Sequence, residues 1–279
     1  MEGTIAMPAK NEERPVAWAE PSPLADFLRQ SLAIVDVELR KICRDPTELL
    51  TRAAQPMLWL VVFGNVFGRI RAIPTGNISY TAFLAPGILA QSILFSAIFF
   101  GIAIIWERDL GIVHKMLVSP AYRGALVLGK ALSAGIRGVA QAVLIYLLVF
   151  LMRIDLRFTP AALCGVLAAV VAGSAIFATF SLMIACIVRT RERFMGIGQL
   201  LTMPLFFASN AIYPIALMPD WLKVIAKVNP LTYLVDALRG LMIQGGQSVH
   251  GFGFDLCVLA VVFAVLWMAT SKIYPTIIR

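Results

Sequence analysis

Residues 106–130 read WERDLGIVHKMLVSPAYRGALVLGK, a polar and basic island between two long apolar segments. Glu107 and Asp109 bracket Arg108, and Ile112, Val113, Met116 and Leu117 then recur at helical spacing until Pro120 stops the pattern. The spacing predicts a short docking helix over about 107–120, with one apolar and one charged face. A helix of this kind at a membrane surface can be pushed by a soluble partner while it stays tied to the spans on either side.

Outward from the island the chain reads as membrane. Of 279 residues, 59% are hydrophobic and 14% charged, and the mean hydropathy of +0.83 lies outside the balance of a soluble domain. The expected fold class is all-α, a polytopic membrane protein. A tilted helix needs roughly 20 apolar residues to cross about 30 Å of hydrocarbon. Runs of that kind lie near 51–70, 80–105, 128–152, 160–188, 194–213 and 256–271, six spans in all. Cytoplasmic loops retain Lys and Arg. With the amino terminus inside, sixteen of these cations fall on inner segments and seven on outer ones, leaving Arg137 inside the third span. Both termini are therefore expected in the cytoplasm, and the net charge of +8 reflects topology rather than nucleic-acid binding. Arg137 follows Lys130 by roughly 10 Å of helix rise and is expected to snorkel to the inner surface.

Ahead of the first span, residues 1–21 hold Pro8, Pro15 and Pro21 with mixed charge and no periodicity, the pattern of a disordered cytoplasmic tail. Ser22 and Pro23 suit the N-cap and first position of a helix. Over 22–45, Leu24, Phe27, Leu28, Leu32, Val35, Leu39 and Ile42 step by three and four, giving an amphipathic helix too charged to span and suited to the inner leaflet surface. The six-span domain then occupies 46–279. Gly64 with Gly68, and Gly165 and Ala169 with Gly173, are small-residue sets that let helices approach, chiefly within the subunit. Pro86 and Gly87 allow a kink or partly unwound entry near the outer end of the second span.

The segment about 214–244 is too broken for a plain span. Trp221, Leu222, Ile225 and Val228 make the apolar edge of one short helix, and Asn229-Pro230 caps and opens a second, which carries Tyr233, Asp236 and Arg239. Asp236 and Arg239 share a face and can pair. Two such re-entrant helices dipping into the outer leaflet place Trp221 and Tyr233 at headgroup depth. Gly240, Gly245, Gly246, Gly251 and Gly253 are expected to make the connection to the last span flexible.

Residues 124–131, GALVLGKA, fall one residue short of a phosphate-loop pattern, with Ala131 where Ser or Thr would hold magnesium. No strand is expected before them and they run into a span, so no nucleotide site is expected in this chain. His114 and His250 fall on opposite expected sides and no cysteine pair has ligand spacing, so no metal site or catalytic group is assigned. The four cysteines read as packing thiols. None of the expected spans carries an acid to bind a driving ion. Two other classes stand beside a driven permease: a membrane-embedded enzyme for lipid-linked substrates with Asp220, Asp236 and Arg239 as its polar centre, and an ion-coupled carrier.

Glu107-Arg108-Asp109-Leu110-Gly111, followed by Leu117-Val118-Ser119-Pro120 and Leu128-Gly129-Lys130, resembles the coupling-helix stretch of the ABC-2 type transporter permeases. Asn229-Pro230-Leu231-Thr232-Tyr233 with Asp236 and Arg239, after Pro219-Asp220-Trp221-Leu222, is similar to the signature near their carboxyl end. The resemblance spans residues 24–279 and is to small bacterial exporters of the daunorubicin-resistance and nodulation-lipooligosaccharide type. It implies a permease that forms a homodimer in the bacterial inner membrane and binds two copies of a separately encoded subunit in which ATP and magnesium act. Its cargo would be a drug-like molecule, a lipid or a lipid-linked glycan. It also implies that Glu107, Arg108, Asp109, Gly111, Leu117 and Pro120 couple to the ATPase, and that Trp221, Asn229, Pro230, Tyr233, Asp236 and Arg239 help close the outer side.

Overall fold

A computed structural model describes residues 22–45, 47–70, 73, 78–118, 121–188, 190–246 and 248–278. The expected tail at 1–21 and the helix stop at Pro120 lie outside the described residues. The elements are α1 (Pro23–Arg44), α2 (Thr47–Ile70), α3 (Tyr80–Asp109), α4 (Ile112–Val118), α5 (Arg123–Leu151), α6 (Pro160–Ile187), α7 (Arg191–Phe207), α8 (Asp220–Val228), α9 (Pro230–Met242) and α10 (Phe252–Ile273). No strand occurs among the described residues.

Among the described residues four helices are long and apolar enough to cross a membrane: α3, α5, α6, and α10 extended to Ile277. That is two fewer than the sequence suggests. Of the expected first and fifth spans, α2 carries Arg52, Gln55, Asn65 and Arg69. The other, α7, opens on Arg191-Glu192-Arg193 and has 17 residues, about 26 Å of rise. Its continuation past Phe207 is a run of turns, not helix. At Pro86, where the sequence allows a kink or a partly unwound entry, α3 is helical without a break from Tyr80.

α6 sits at the centre, packed against α3, α5, α9 and α10. Its small-residue stripe faces its own chain: a methyl group on Gly173 would stand 2.5 Å from Leu234, and one on Gly165 2.9 Å from Leu241, both on α9. α1 begins as expected, with the Ser22 hydroxyl accepting from the Ala25 amide and Pro23 in the first turn. It then lies along the start of α5. Phe27 meets Tyr122 and Trp267, and Gly129 faces the Ser31 carbonyl so closely that an added Cβ would approach it to 2.7 Å. The phosphate-loop imitation is thus a packing surface, its two glycines receiving Trp267 and α1.

The long axis of α5, 29 residues and about 43 Å, separates two ends. At its start the Trp267 indole donates to the Gly124 carbonyl at 3.0 Å. At the other end the Arg157 amide donates to the Met242 carbonyl at 2.7 Å, and Leu156 bridges to Ile243. The end of α9 and the start of α10 therefore sit opposite α1 and α4.

Candidate functional site

The basic island folds as two elements, not the single helix expected over 107–120. α3 continues through Glu107, Arg108 and Asp109 and stops at Leu110. Gly111 then turns the chain with φ +72°, a region that favours glycine, and α4 starts at Ile112. The apolar spacing runs through this elbow unchanged, so periodicity could not reveal it. Val113 is fully buried, while Met116 and Leu117 pack partly against the core. Leu110 (68% exposed), Val118 (76%) and Ile112 point outward beside His114 and Lys115. α4 is pinned on one side and offers an apolar and basic knob on the other.

Behind the knob lies a buried ion cluster. Glu107 turns inward: one carboxylate oxygen accepts from Lys41 and the other from Lys130, each at 2.6 Å. Lys130 also reaches Glu38 at 2.7 Å, Lys41 reaches it at 3.1 Å, and the Arg137 guanidinium donates to its second oxygen at 2.9 Å. Three cations and two carboxylates thus join α1, α3 and α5. Burial alone would raise the Glu38 carboxyl from its ordinary 4.5, but Lys130, Lys41 and Arg137 hold it down to about 2. Arg137 does not snorkel to water; it is buried, paired with Glu38 and set over the Phe100 ring. α1 comes up alongside α5 to meet it, which removes the need to reach the surface.

Glu38 was not among the residues the sequence singled out. It sits on the face of Phe27, Ser31, Ile34 and Glu38 that packs on α5, beside the apolar stripe read from the sequence, whose Leu24, Leu28, Leu32 and Leu39 stay exposed, so the apolar spacing did not mark it. The neighbouring Asp109 accepts from Arg108 at 3.0 Å and from Arg191 at 2.7 Å, and Arg191 lies 3.7 Å over the Trp106 ring. The end of α3 is thereby tied to the start of α7.

At the opposite end, Asn229 caps α9 as expected: its side-chain oxygen accepts from the Leu231 amide at 3.0 Å, and its amide donates to the Leu205 carbonyl at 2.6 Å. Pro230 follows in the first turn. The Tyr233 hydroxyl donates to the Lys227 carbonyl at 2.7 Å, and Trp221 is two-thirds exposed. Asp236 and Arg239 do not pair. Arg239 donates to the Asn210 carbonyl at 2.6 Å and lies over Phe83, while Asp236 accepts from the Ser248 hydroxyl and the His250 amide. Each finds a partner in a connecting segment that helical spacing does not contain. Asp220 is exposed on α8 beside Lys223, so the polar centre suggested for an enzyme is not assembled. The glycine-rich connection is also shorter than expected, because Gly240 and Gly253 are helical.

Residues 29–243, from α1 to the end of α9, match the family described as ABC-2 type transporter. The chain belongs to the ABC-2 type transporter family. Among curated proteins, this ABC-2 chain is 27% identical to the ycf38 protein of Cyanophora paradoxa, whose name describes a transport permease, over 82% of this chain and 80% of that one. It is 26% identical to nodulation protein J of Rhizobium leguminosarum bv. trifolii (70% and 74%) and 27% identical to nodulation protein J of Bradyrhizobium diazoefficiens (76% and 81%). The ABC-2 chain is a multi-pass membrane protein and the membrane subunit of a transporter. Membership of the family implies an ABC transporter with an ATP-binding subunit.

Proposed function

We propose that this permease exports an amphipathic substrate, such as a drug-like molecule, a lipid or a lipid-linked glycan, across the bacterial inner membrane. Two separately encoded ATP-binding subunits drive it, one docked on α4 of each copy in a permease dimer. The observation that carries this reading is the knob of Leu110, Ile112 and Val118, exposed on an element anchored at Val113 and backed by the cluster around Glu107 and Glu38. Exposed apolar side chains beside a basic residue suit a cleft in a soluble partner. A push on α4 passes through the Gly111 elbow into α3, through Glu107 into α1 and α5, and through Asp109 and Arg191 into α7. The docking face thus comprises Leu110 to Val118, while Glu107 and Asp109 act as positioning residues behind it.

Six crossings with both termini in the cytoplasm fit the packing. α2 starts beside α1 and ends with Phe67 against Tyr80 at the start of α3. α7 starts at Asp109 and ends where Leu205 meets Asn229. Both runs are in keeping with a passage from one end of the bundle toward the other. The excess of Lys and Arg on the segments at the α4 end supports α4 in the cytoplasm and α8 and α9 outside.

The test is a Leu110→Glu, Val118→Glu variant, co-expressed with the partner ATPase. Both positions are exposed, so the melting of the permease should change by no more than about 0.5 kcal/mol. Co-purification of the ATPase and substrate-stimulated ATP hydrolysis in proteoliposomes should be lost. Full retention of both in the variant, or transport by the permease alone, rejects the reading.

A further inference from the structure

The end of the bundle opposite α4 carries a second cluster, which the docking reading does not use. Asp236 on α9, His250 in the connection and Asp255 in the first turn of α10 offer two carboxylate oxygens and an imidazole nitrogen, all within 4.8 Å of one another. Asp236 and Asp255 are 1% and 0% exposed, while His250 is open to solvent at the rim. In each buried carboxylate the Oδ1 atom has no hydrogen-bond donor. A buried carboxylate is strongly unfavourable unless it is paired, protonated or bound to a metal. Arg239, the nearest cation along α9, is turned away to Asn210 and Phe83.

The available protons do not cover the two acids. The Ser248 hydroxyl lies 3.0 Å from Asp236 Oδ2 and 2.8 Å from Asp255 Oδ2, but a hydroxyl carries one proton and serves one acceptor at a time. Its oxygen already accepts from the Gly251 amide at 2.7 Å. Two donor-less carboxylate oxygens therefore face a polar spot in which the partly exposed His250 ring, its Nδ1 3.4 Å from Asp236 Oδ2, is the one neighbouring group among the described residues able to carry a positive charge.

We propose that Asp236, His250 and Asp255 bind a first-row divalent metal ion of the zinc or manganese class. Carboxylates alone suit calcium or magnesium, whereas an added imidazole selects a transition metal. The edge between Asp236 Oδ2 and His250 Nδ1 is 3.4 Å. Two ligands about 2.0–2.1 Å from zinc in a tetrahedron stand roughly 3.3–3.4 Å apart. The His250 ring is held by aromatic neighbours, with Tyr233 at 5.6 Å and Phe254 at 5.9 Å between centroids, so its orientation toward Asp236 is set before an ion arrives. Gly251, with φ +90°, turns the chain between His250 and Asp255 so that both face Asp236. The exposed side of His250 gives an entry path and room for water ligands. A bound ion would fasten the end of α9 to the first turn of α10. A search for cysteine pairs or spaced histidines cannot find this site, because its ligands come from a helix, a connection and the next helix.

The experiment uses the full-length permease in detergent, stripped with EDTA and then given zinc or manganese chloride. Expected is retention of one metal ion per chain after gel filtration, read by elemental mass spectrometry. A rise of several degrees in the melting midpoint should accompany it, absent with magnesium or calcium at the same concentration. Asp255→Asn should abolish retention. His250→Gln, at an exposed position that leaves the fold intact, should weaken it by about tenfold or more. Retention by His250→Gln equal to that of the parent overturns the proposal. So does a parent that binds no metal while Asp255→Asn melts higher than it, the result for two acids that share a proton.

Discussion

Glu38 accepts from Lys130 and Lys41 on one oxygen and from Arg137 on the other, and its carboxyl titrates near 2 rather than the ordinary 4.5. A group whose folded value is depressed stabilises the fold fully above the unfolded value and loses that contribution as pH falls through the folded one. Stability should therefore be level with respect to this group above about pH 4.5 and decline between there and about pH 2, by about 3 kcal/mol in total. Melting of the purified protein across that range should show the decline, and Glu38→Gln should flatten it. At neutral pH the same variant removes one of two carboxylates that face two buried cations, Lys130 and Arg137, and the half-exposed Lys41, and should lose about 3–5 kcal/mol. If its melting midpoint matches the parent at both ends of the range, the cluster carries no stability. Glu107 belongs to the same cluster, so Glu107→Gln should lower the melting midpoint as well as impair coupling, unlike changes at Leu110 or Val118 that touch only the docking face.

Between α1 and α5 the spacing is set by Gly129. Any side chain there meets the Ser31 carbonyl at 2.7 Å and Ile34 at 2.8 Å, and a backbone carbonyl cannot swing aside. Gly129→Val should cost about 1–3 kcal/mol through overpacking and move α1 away. Gln30 and Tyr122 report this: the Gln30 side chain accepts from the Tyr122 amide at 2.9 Å, so cysteines at the two positions should crosslink in the parent and not in the variant. Gly68→Ala is the control, since no atom lies within 4 Å of a Cβ built there. Local chemistry made some elements legible in the chain. Ser22-Pro23 and Asn229-Pro230 start helices because a cap and a proline act within one turn. What lay outside one turn was not legible. The Gly111 elbow needs a single backbone angle that no periodicity records, and the partners of Asp236 and Arg239 come from segments 12 or more residues away. Glu38 was not legible because α1 turns the face of Ser31 and Glu38 toward α5 and leaves its leucine stripe exposed.

The whole molecule turns on parity. α3 and α5 meet α4 at one end, and α6 ends at that same end, where the Val188 carbonyl accepts from Arg108. α9 nevertheless finishes against Arg157 at the other end. If α7 did not cross, α4 and α8 would lie on the same side of the membrane; if it does, they lie on opposite sides. Exposed apolar side chains on α2 (Leu58, Val62, Val66), α7 (Leu200, Met203) and α10 (Val261, Val265) extend along this length and suit lipid or a second copy. The measurement uses a variant with Cys43, Cys164, Cys186 and Cys257 replaced, carrying a single cysteine at Lys115 on α4 or Lys223 on α8. A membrane-impermeant maleimide should label Lys223→Cys in intact cells and Lys115→Cys only after permeabilisation. Labelling of both from the same side would mean that α7 does not cross and would place α8 beside the ATPase.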